Sequence, residues 1–422
     1  MQLWIGLLVL IWVVPVGAAT PPTTGQPLML VQAFALVLEN NPRLKAASFD
    51  TKAAVAKVHQ QLQSTPWKMG VDLDNMGGSG SYRDLKALET TLSLGKVLEL
   101  GGKASKRGDI ARVEMKLLEN EQYAQRIDLL AETTLRFIAV AKAQRQQQMF
   151  KERVGHRKQT LAAVEKRFQL GQAGVAEKSR AKLRLVEAKL ALEEIDNKLV
   201  ASKRLLSALW GVTNPSFHRV SGDLYRLEFL PSSKSLDRLM TESPALVRFA
   251  LQQQIADAQL RLAQASRSSD IEVRGGVRHF NESDDMGLLL SLNIPLGSES
   301  RSLPVREQAE ANVAREQLLA QNQHLSMKAK LINLLQEALF ARRLVKAVRR
   351  EILPEAKSIL ATYSKGYTAG RYTLLELTQA QDALLQARLR VLDAAVEYQV
   401  KRNEIDRLTG GVMGSLSDRE AG

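Results

Sequence analysis

The 422-residue chain contains no cysteine. That excludes disulfides in any compartment, and it excludes lipid attachment through an N-terminal cysteine. Aromatic residues make up only 5% of the chain. Long apolar runs are scarce as well. Leu3 to Val14 is the one unbroken example, and it is too short to span a bilayer as a helix. Chemistry-bearing patterns are missing too. The five histidines (His59, His156, His218, His279 and His324) are scattered without metal-ligand spacing. Gly101-Gly102-Lys103-Ala104 echoes the end of a phosphate-binding loop. Val97 occupies the position of the first required glycine, however, and Ala104 that of the hydroxyl residue that would hold magnesium. The segment reads as a strand-to-helix joint. No nucleophile elbow or carboxylate pair emerges, so the sequence predicts no enzyme, no catalytic residue, no cofactor and no resident metal.

The short apolar run is followed by Pro15 and then by Gly17, Ala18 and Ala19. A run of that length ending in small residues reads as an export signal covering residues 1–19, although no Lys or Arg precedes it. The mature chain would then lie beyond the inner membrane. The charge balance is basic, with 59 Lys and Arg against 45 Asp and Glu. Those charges are spread along helical stretches, which favours solvated helix faces over a nucleic-acid partner.

The most informative positive feature is internal repetition. Phe168-Gln169-Leu170-Gly171 and Tyr367-Thr368-Ala369-Gly370 each separate two long charged helical stretches, and their glycines lie 199 positions apart. Gly155 and Pro354 share that shift, while Asn41-Pro42 and Ser243-Pro244 nearly do. Each half is expected to start with a helix, at about Leu30 to Gln63 and about Leu236 to Ser266. A strand pair, a very long helical region, a tip and a returning helix would follow. The long regions, Ser105 to Phe168 and Pro304 to Tyr367, would each reach about 90 Å at 1.5 Å per residue. Gly155 and Pro354 predict a bend at the same place in both. Leu183, Val186, Leu190, Leu192, Ile195, Leu199 and Leu206 predict an apolar packing stripe on the first returning helix. Leu377, Leu384, Leu392, Val396 and Val400 predict one on the second.

Four segments alternate with period two. Trp67, Met69, Val71 and Leu73 form one apolar row, and Leu88, Leu92 and Leu94 a second. Ile271, Val273 and Val277 form a third, and Met286 to Ile294 a fourth. Each is about ten residues, the length of a tilted membrane strand. Four strands cannot close a barrel, and open edges cannot sit in lipid, so several chains would have to pool their strands.

At the tips, Arg167 to Glu177 and Tyr367 to Leu377 resemble the paired hairpin tips of the TolC outer-membrane efflux family. Asn41-Pro42, Glu99-Leu-Gly-Gly-Lys103, Ile294-Pro295-Leu296, Pro354 and Ala380-Gln381 fit as well, and the set is similar to the heavy-metal, CzcC-like branch. The resemblance implies a mainly α fold with membrane β structure. Long antiparallel helical hairpins would form an α-barrel, and four strands per chain would contribute to a trimeric 12-stranded outer-membrane β-barrel. The chain would divide into the signal, a first repeat at 20–235 and a second at 236–422. Implied partners are two further copies, outer-membrane lipid, a periplasmic membrane-fusion adaptor and an inner-membrane RND-type pump. Gly171 and Gly370 become tip glycines that dock the adaptor, with Phe168 and Tyr367 as their aromatic partners. Glu376 matches an acidic gate position, Gln379 stands where a second carboxylate would be, and Glu177 is the first-repeat counterpart of Glu376. The competing readings are a soluble periplasmic coiled-coil scaffold or adaptor and a basic nucleic-acid-binding coiled coil.

Overall fold

The computed structural model describes residues 27–228, 230–241 and 243–411. The expected signal segment lies outside them. The first half runs β1 (Leu28–Met29), α1 (Leu30–Asn40), α2 (Pro42–Leu62), β2 (Lys68–Asp74), β3 (Glu89–Leu98), α3 (Lys103–Gln169), α4 (Val175–Ser207) and β4 (Val220–Ser221). The second runs α5 (Ser233–Thr241), α6 (Pro244–Ala265), β5 (Ile271–Phe280), β6 (Asp285–Asn293), α7 (Ser298–Ala347), α8 (Leu353–Thr368) and α9 (Leu374–Thr409). Among the described residues no helix is long and apolar enough to cross a membrane.

Each opening helix is in fact two. Asn41 ends α1 and caps α2: its side chain accepts from the Arg43 amide at 2.9 Å and its Nδ2 donates to the Leu209 carbonyl at 2.7 Å. Pro42 follows at the first helical position, where its missing N–H costs nothing. Ser243-Pro244 divides α5 from α6 with proline again at the first helical position, although the Ser243 side chain makes no capping bond. The expected unbroken helices overlooked that proline, lacking an N–H, is suited to the first position of a new helix and not to the interior of an existing one.

The predicted bend is asymmetric. α3 runs 67 residues without interruption through Gly155, about 100 Å. In the second copy a π-helical segment, Val348–Ile352, separates α7 from α8 just before Pro354. Glycine keeps its N–H and continues the hydrogen-bond ladder. Proline has none and its ring crowds the carbonyl one turn back, so the winding must widen there.

The leucine stripe on α4 also divides. Ile195, Leu199 and Leu206 are buried, but Leu183, Val186 and Leu190 face outward. The inward seam nearer the tip is made by Ala181 and Ala188, which continue the seven-residue spacing to Ile195. Small residues let α4 approach α3 closely, a role that a search for large apolar residues overlooks. On α9 the expected Leu377, Leu384 and Leu392 are all buried.

The helices form an open layer. Near the sheet, α2 packs on α3, α3 on α6 and α6 on α7. Toward the tips, α4 packs on α3, α3 on α9 and α9 on α8.

The four membrane-length segments form one antiparallel sheet in the order β2-β3-β5-β6. β3 and β5 join the halves, pairing Leu92 with Val277 and Thr91 with Arg278. Register carries one apolar row across the sheet, Val71–Leu92–Val277–Leu288, and a neighbouring row aligns Met69, Leu94 and Leu290. These rows face outward, with Leu288 92% and Leu290 83% exposed. The opposite face is polar and covered: Thr91 and Ser93 are buried, and Arg278 binds Glu89, Thr91 and Asp74. A water-facing sheet buries its apolar side; this one presents it. Among the described residues, β2 and β6 are the edges of this sheet, each paired on one side only.

Candidate docking tips and gate

The tips lie at the far ends of the hairpins, the length of α3 away from the sheet. At the first, the Gly171 amide donates to Phe168 O (3.0 Å) and the Gln172 amide to Arg167 O (2.8 Å). At the second, Gly370 donates to Tyr367 O (3.1 Å) and Arg371 to Gly366 O (2.8 Å). Both are Schellman endings, which satisfy the last helical carbonyls and require a left-handed residue after the cap. Gly171 and Gly370 supply it, with φ of +72° and +74°. A Cβ at either position would meet nothing within 4 Å. Backbone conformation, not crowding within the chain, therefore selects glycine there.

The aromatic partners differ. Phe168 is half-buried with Lys178 Nζ 5.1 Å from its ring centroid. Tyr367 is buried in a cluster with Val164, Ala181, Leu374 and Leu377. Its hydroxyl donates to Glu177 Oε1 at 2.8 Å. Arg167 lies over its ring at 4.8 Å and donates to its carbonyl at 2.9 Å. Burial, then the bond to Glu177, pushes the phenol's pKa up, so it stays a donor at physiological pH. The structure thus joins Glu177 and Tyr367 into one link between the hairpins, with Phe168 outside it.

The gate candidates sit on the first turns of α9. Glu376 closes a capping box with Thr373: its carboxylate accepts from the Thr373 amide and hydroxyl, both at 2.8 Å. Those bonds hold its carboxyl below the usual range. Gln379 is exposed one turn on. Glu177 and Glu376 are sequence counterparts with different tasks, one bonding across hairpins and one capping its own helix.

Above the tips lies a cluster that the sequence did not single out. Arg157 of α3 is 2% exposed. It donates to Gln381 Oε1 and Asp382 Oδ1 of α9, both at 2.6 Å, and Gln381 donates to Thr160 at 2.9 Å. Burial depresses the guanidinium's pKa while Asp382 opposes it. Ala380-Gln381 drew attention in the sequence; its neighbour Asp382 and the distant Arg157 carried no local signal.

With this geometry described, comparison with known proteins is decisive. The outer membrane efflux protein family matches residues 34–212 and 236–411. The chain belongs to that family. It is an outer-membrane efflux channel of the TolC type, not an enzyme. It is 24% identical over 323 residues to the cobalt-zinc-cadmium resistance protein CzcC of Cupriavidus metallidurans, covering 76% of this chain and 77% of that one. It is 22% identical over 331 residues to the nickel and cobalt resistance protein CnrC of the same organism, covering 74% and 77%. A solved membrane protein from Pseudomonas aeruginosa superposes with a TM-score of 0.76 at 18% identity, covering 90% of each chain. The expected fold class stands: helical hairpins contributing to an α-barrel and strands contributing to a β-barrel.

Proposed function

We propose that three copies of this channel close a continuous duct that carries substrate passively from a periplasmic adaptor and an inner-membrane pump to the exterior. The observation that carries this reading is the inverted sheet with its two open edges. Apolar rows on the outer face suit lipid, whereas unpaired edges do not, so β6 of one copy would pair with β2 of the next. Three copies supply twelve strands, within the range of membrane barrels. The helical layer closes in the same sense, with α2 and α4 on one edge and α7 and α8 on the other. The repeats are read as 20–235 and 236–422 behind a signal at 1–19.

Energy would come from the pump, because channels of this family are not enzymes. Gly171 and Gly370 keep the tips small enough for the adaptor's backbone to approach, with Phe168 and Tyr367 beside them. Glu376 and Gln379 would line the narrow end, where repeated carboxylates attract cations. Glu177 acts there as a latch to Tyr367. The relatives' names favour divalent transition-metal cations as cargo.

Deleting the chain and measuring tolerance to a panel of divalent metals and drugs tests the function. Selective loss of cobalt, zinc, cadmium or nickel tolerance is expected; unchanged tolerance to all of them would refute the cargo assignment. Carbonate washing separates a barrel from a peripheral scaffold, since the barrel stays with the outer membrane.

A further inference from the structure

The two returning helices place a cation at the same point and treat it differently. Lys203 of α4 and Arg402 of α9 correspond at the 199-residue shift, and both are half-buried. Arg402 is paired: its guanidinium lies 2.6 Å from Glu228 Oε2 and 3.8 Å from Asp406 Oδ2. Lys203 has no carboxylate within ion-pair distance among the described residues, and burial alone lowers its pKa. A half-buried ammonium without a counter-charge is costly. Glu228 stands on the segment that leads into the second repeat, fifteen residues before Ser243. Fifteen residues before Asn41 stands Gln26, and residues 20–27 contain no Asp or Glu. The first repeat thus keeps the cation and omits its partner.

Lys203 lines a groove of about 810 Å³ between α3, α4 and the segment around β4, with Pro27 in its wall. Arg145 and Arg219 line it too, both exposed and without a carboxylate partner among the described residues. Asp223 is the one carboxylate in the lining, and its Oδ1 accepts from the Tyr225 amide at 3.0 Å. Gln148 adds an amide. The groove is not on the edge that the trimer closes. At 100° per residue, Lys203 lies about 55° from the α4 seam and about 100° or more from the outward row of Leu183, Val186 and Leu190. The β4 segment continues across α9, where Gln399 donates to the Leu224 and Arg226 carbonyls at 3.2 and 2.9 Å. On the luminal side that strap would lie across the duct, so the groove opens to the periplasm. Its placement rests on the duct reading proposed above.

We propose that this groove binds a short acidic peptide in the periplasm, seating one carboxylate on Lys203 as Glu228 is seated on Arg402. The chain itself holds the template. In the second repeat the seat is filled by a peptide carboxylate, and the Tyr398 hydroxyl donates to the carbonyl of that same Glu228. The groove is far larger than a bare carboxylate needs, and Arg145 and Arg219 are placed to meet further carboxylates through charge-assisted bonds. Three cations against one carboxylate repel a free metal ion, so the groove is not a stop on the cargo's route. Occupancy would supply the counter-charge that Lys203 lacks and brace the β4 segment against α3 and α4.

Fluorescence anisotropy on the purified full-length protein tests this with labelled triglutamate, with triglutamine as the uncharged control and inorganic phosphate as competitor. Triglutamate is expected to bind, more weakly as salt rises, and to resist phosphate at equal concentration; triglutamine is not expected to bind. Lys203→Glu should weaken binding roughly tenfold or more, since an attraction is lost and a repulsion added. Lys203→Arg should keep most of the affinity, which separates lost charge from lost folding. Lys158→Glu, on an exposed site of α3 outside the groove, should leave it unchanged. Equal binding of the two peptides would overturn the inference, as would wild-type affinity in Lys203→Glu or displacement by equal phosphate. In cells, a photo-cross-linker at Gln148 distinguishes the sources of such a peptide. An adduct released by muramidase is a cell-wall stem peptide, one released only by protease is a protein segment, and either should vanish in Lys203→Glu. Cross-links confined to a second copy of this chain would overturn the inference. None of these measurements reads export, so failure of the duct reading, seen as unchanged tolerance on deletion, stays distinct from failure of the groove.

Discussion

The Tyr367 hydroxyl, at the end of the second hairpin, donates a 2.8 Å hydrogen bond to the Glu177 carboxylate in the first turn of α4. The two residues are 190 positions apart and lie in different repeats. Their bond, with Arg167 packed over the same ring, makes the paired hairpin ends one mechanical unit. Tyr367→Phe keeps the ring in its pocket and removes that bond to a carboxylate, at a cost of about 1.5–3 kcal/mol. The expected result is a channel that assembles normally but spends more time open, read as a raised open probability in single-channel recordings in planar bilayers. An open probability identical to wild type would show that the bond does not restrain opening.

The tip glycines separate backbone strain from steric access. Alanine at Gly171 or Gly370 meets no neighbour in the chain and costs about 1–2 kcal/mol for its left-handed conformation. Trimers and outer-membrane location should survive. Tryptophan or glutamate at either position adds bulk at the proposed adaptor contact, so metal tolerance should be lost while trimers persist. Export at the wild-type level in those variants would rule out docking at the tips.

The sheet makes a face-specific prediction. Leu288 lies in the outward row and its neighbour Leu289 on the polar side, opposite Gly276. Leu288→Arg should destabilise the barrel by roughly 2–4 kcal/mol if the site is near the bilayer midplane, and should reduce heat-resistant trimer on gels. Leu289→Arg should be much better tolerated. The opposite ranking would mean that lipid contacts the other face.

A pH dependence follows from the end of α9. Arg407, then Lys330, bonds Glu404 and pulls its carboxyl down to about 2. A carboxylate with a depressed folded pKa stabilises above its unfolded value, near 4.5, and that contribution is lost as pH falls toward 2. Melting of the wild-type protein should therefore drop between pH 5 and pH 3 by more than that of Glu404→Gln, a difference on the order of 2 kcal/mol after solvent screening. Parallel pH profiles for the two proteins would contradict it.

Much of this molecule is legible in its sequence. Period-two alternation located all four membrane-length strands, because a strand between two environments must alternate. The tip glycines were legible because left-handed backbone leaves few residue choices. Other features were not. Ala181 and Ala188 carry no hydrophobic signal, yet close approach of two helices selects them. Gly155 and Pro354 occupy matching positions but behave differently, because only proline removes a donor. Arg157 and Asp382 are 225 residues apart, and nothing local in either segment announces the pairing.

Sequence alone determined the repeated hairpins, the helix stops and the two-faced strands, since each follows from local backbone preference and periodicity. Tertiary structure decided which face of the sheet turns outward, that β3 meets β5 across the repeats, and that Glu177 reaches Tyr367 while its counterpart Glu376 caps its own helix. Those outcomes depend on contacts between segments far apart in the chain. No short-range rule encodes them; they are set when the long helices pack and bring distant residues to the same height.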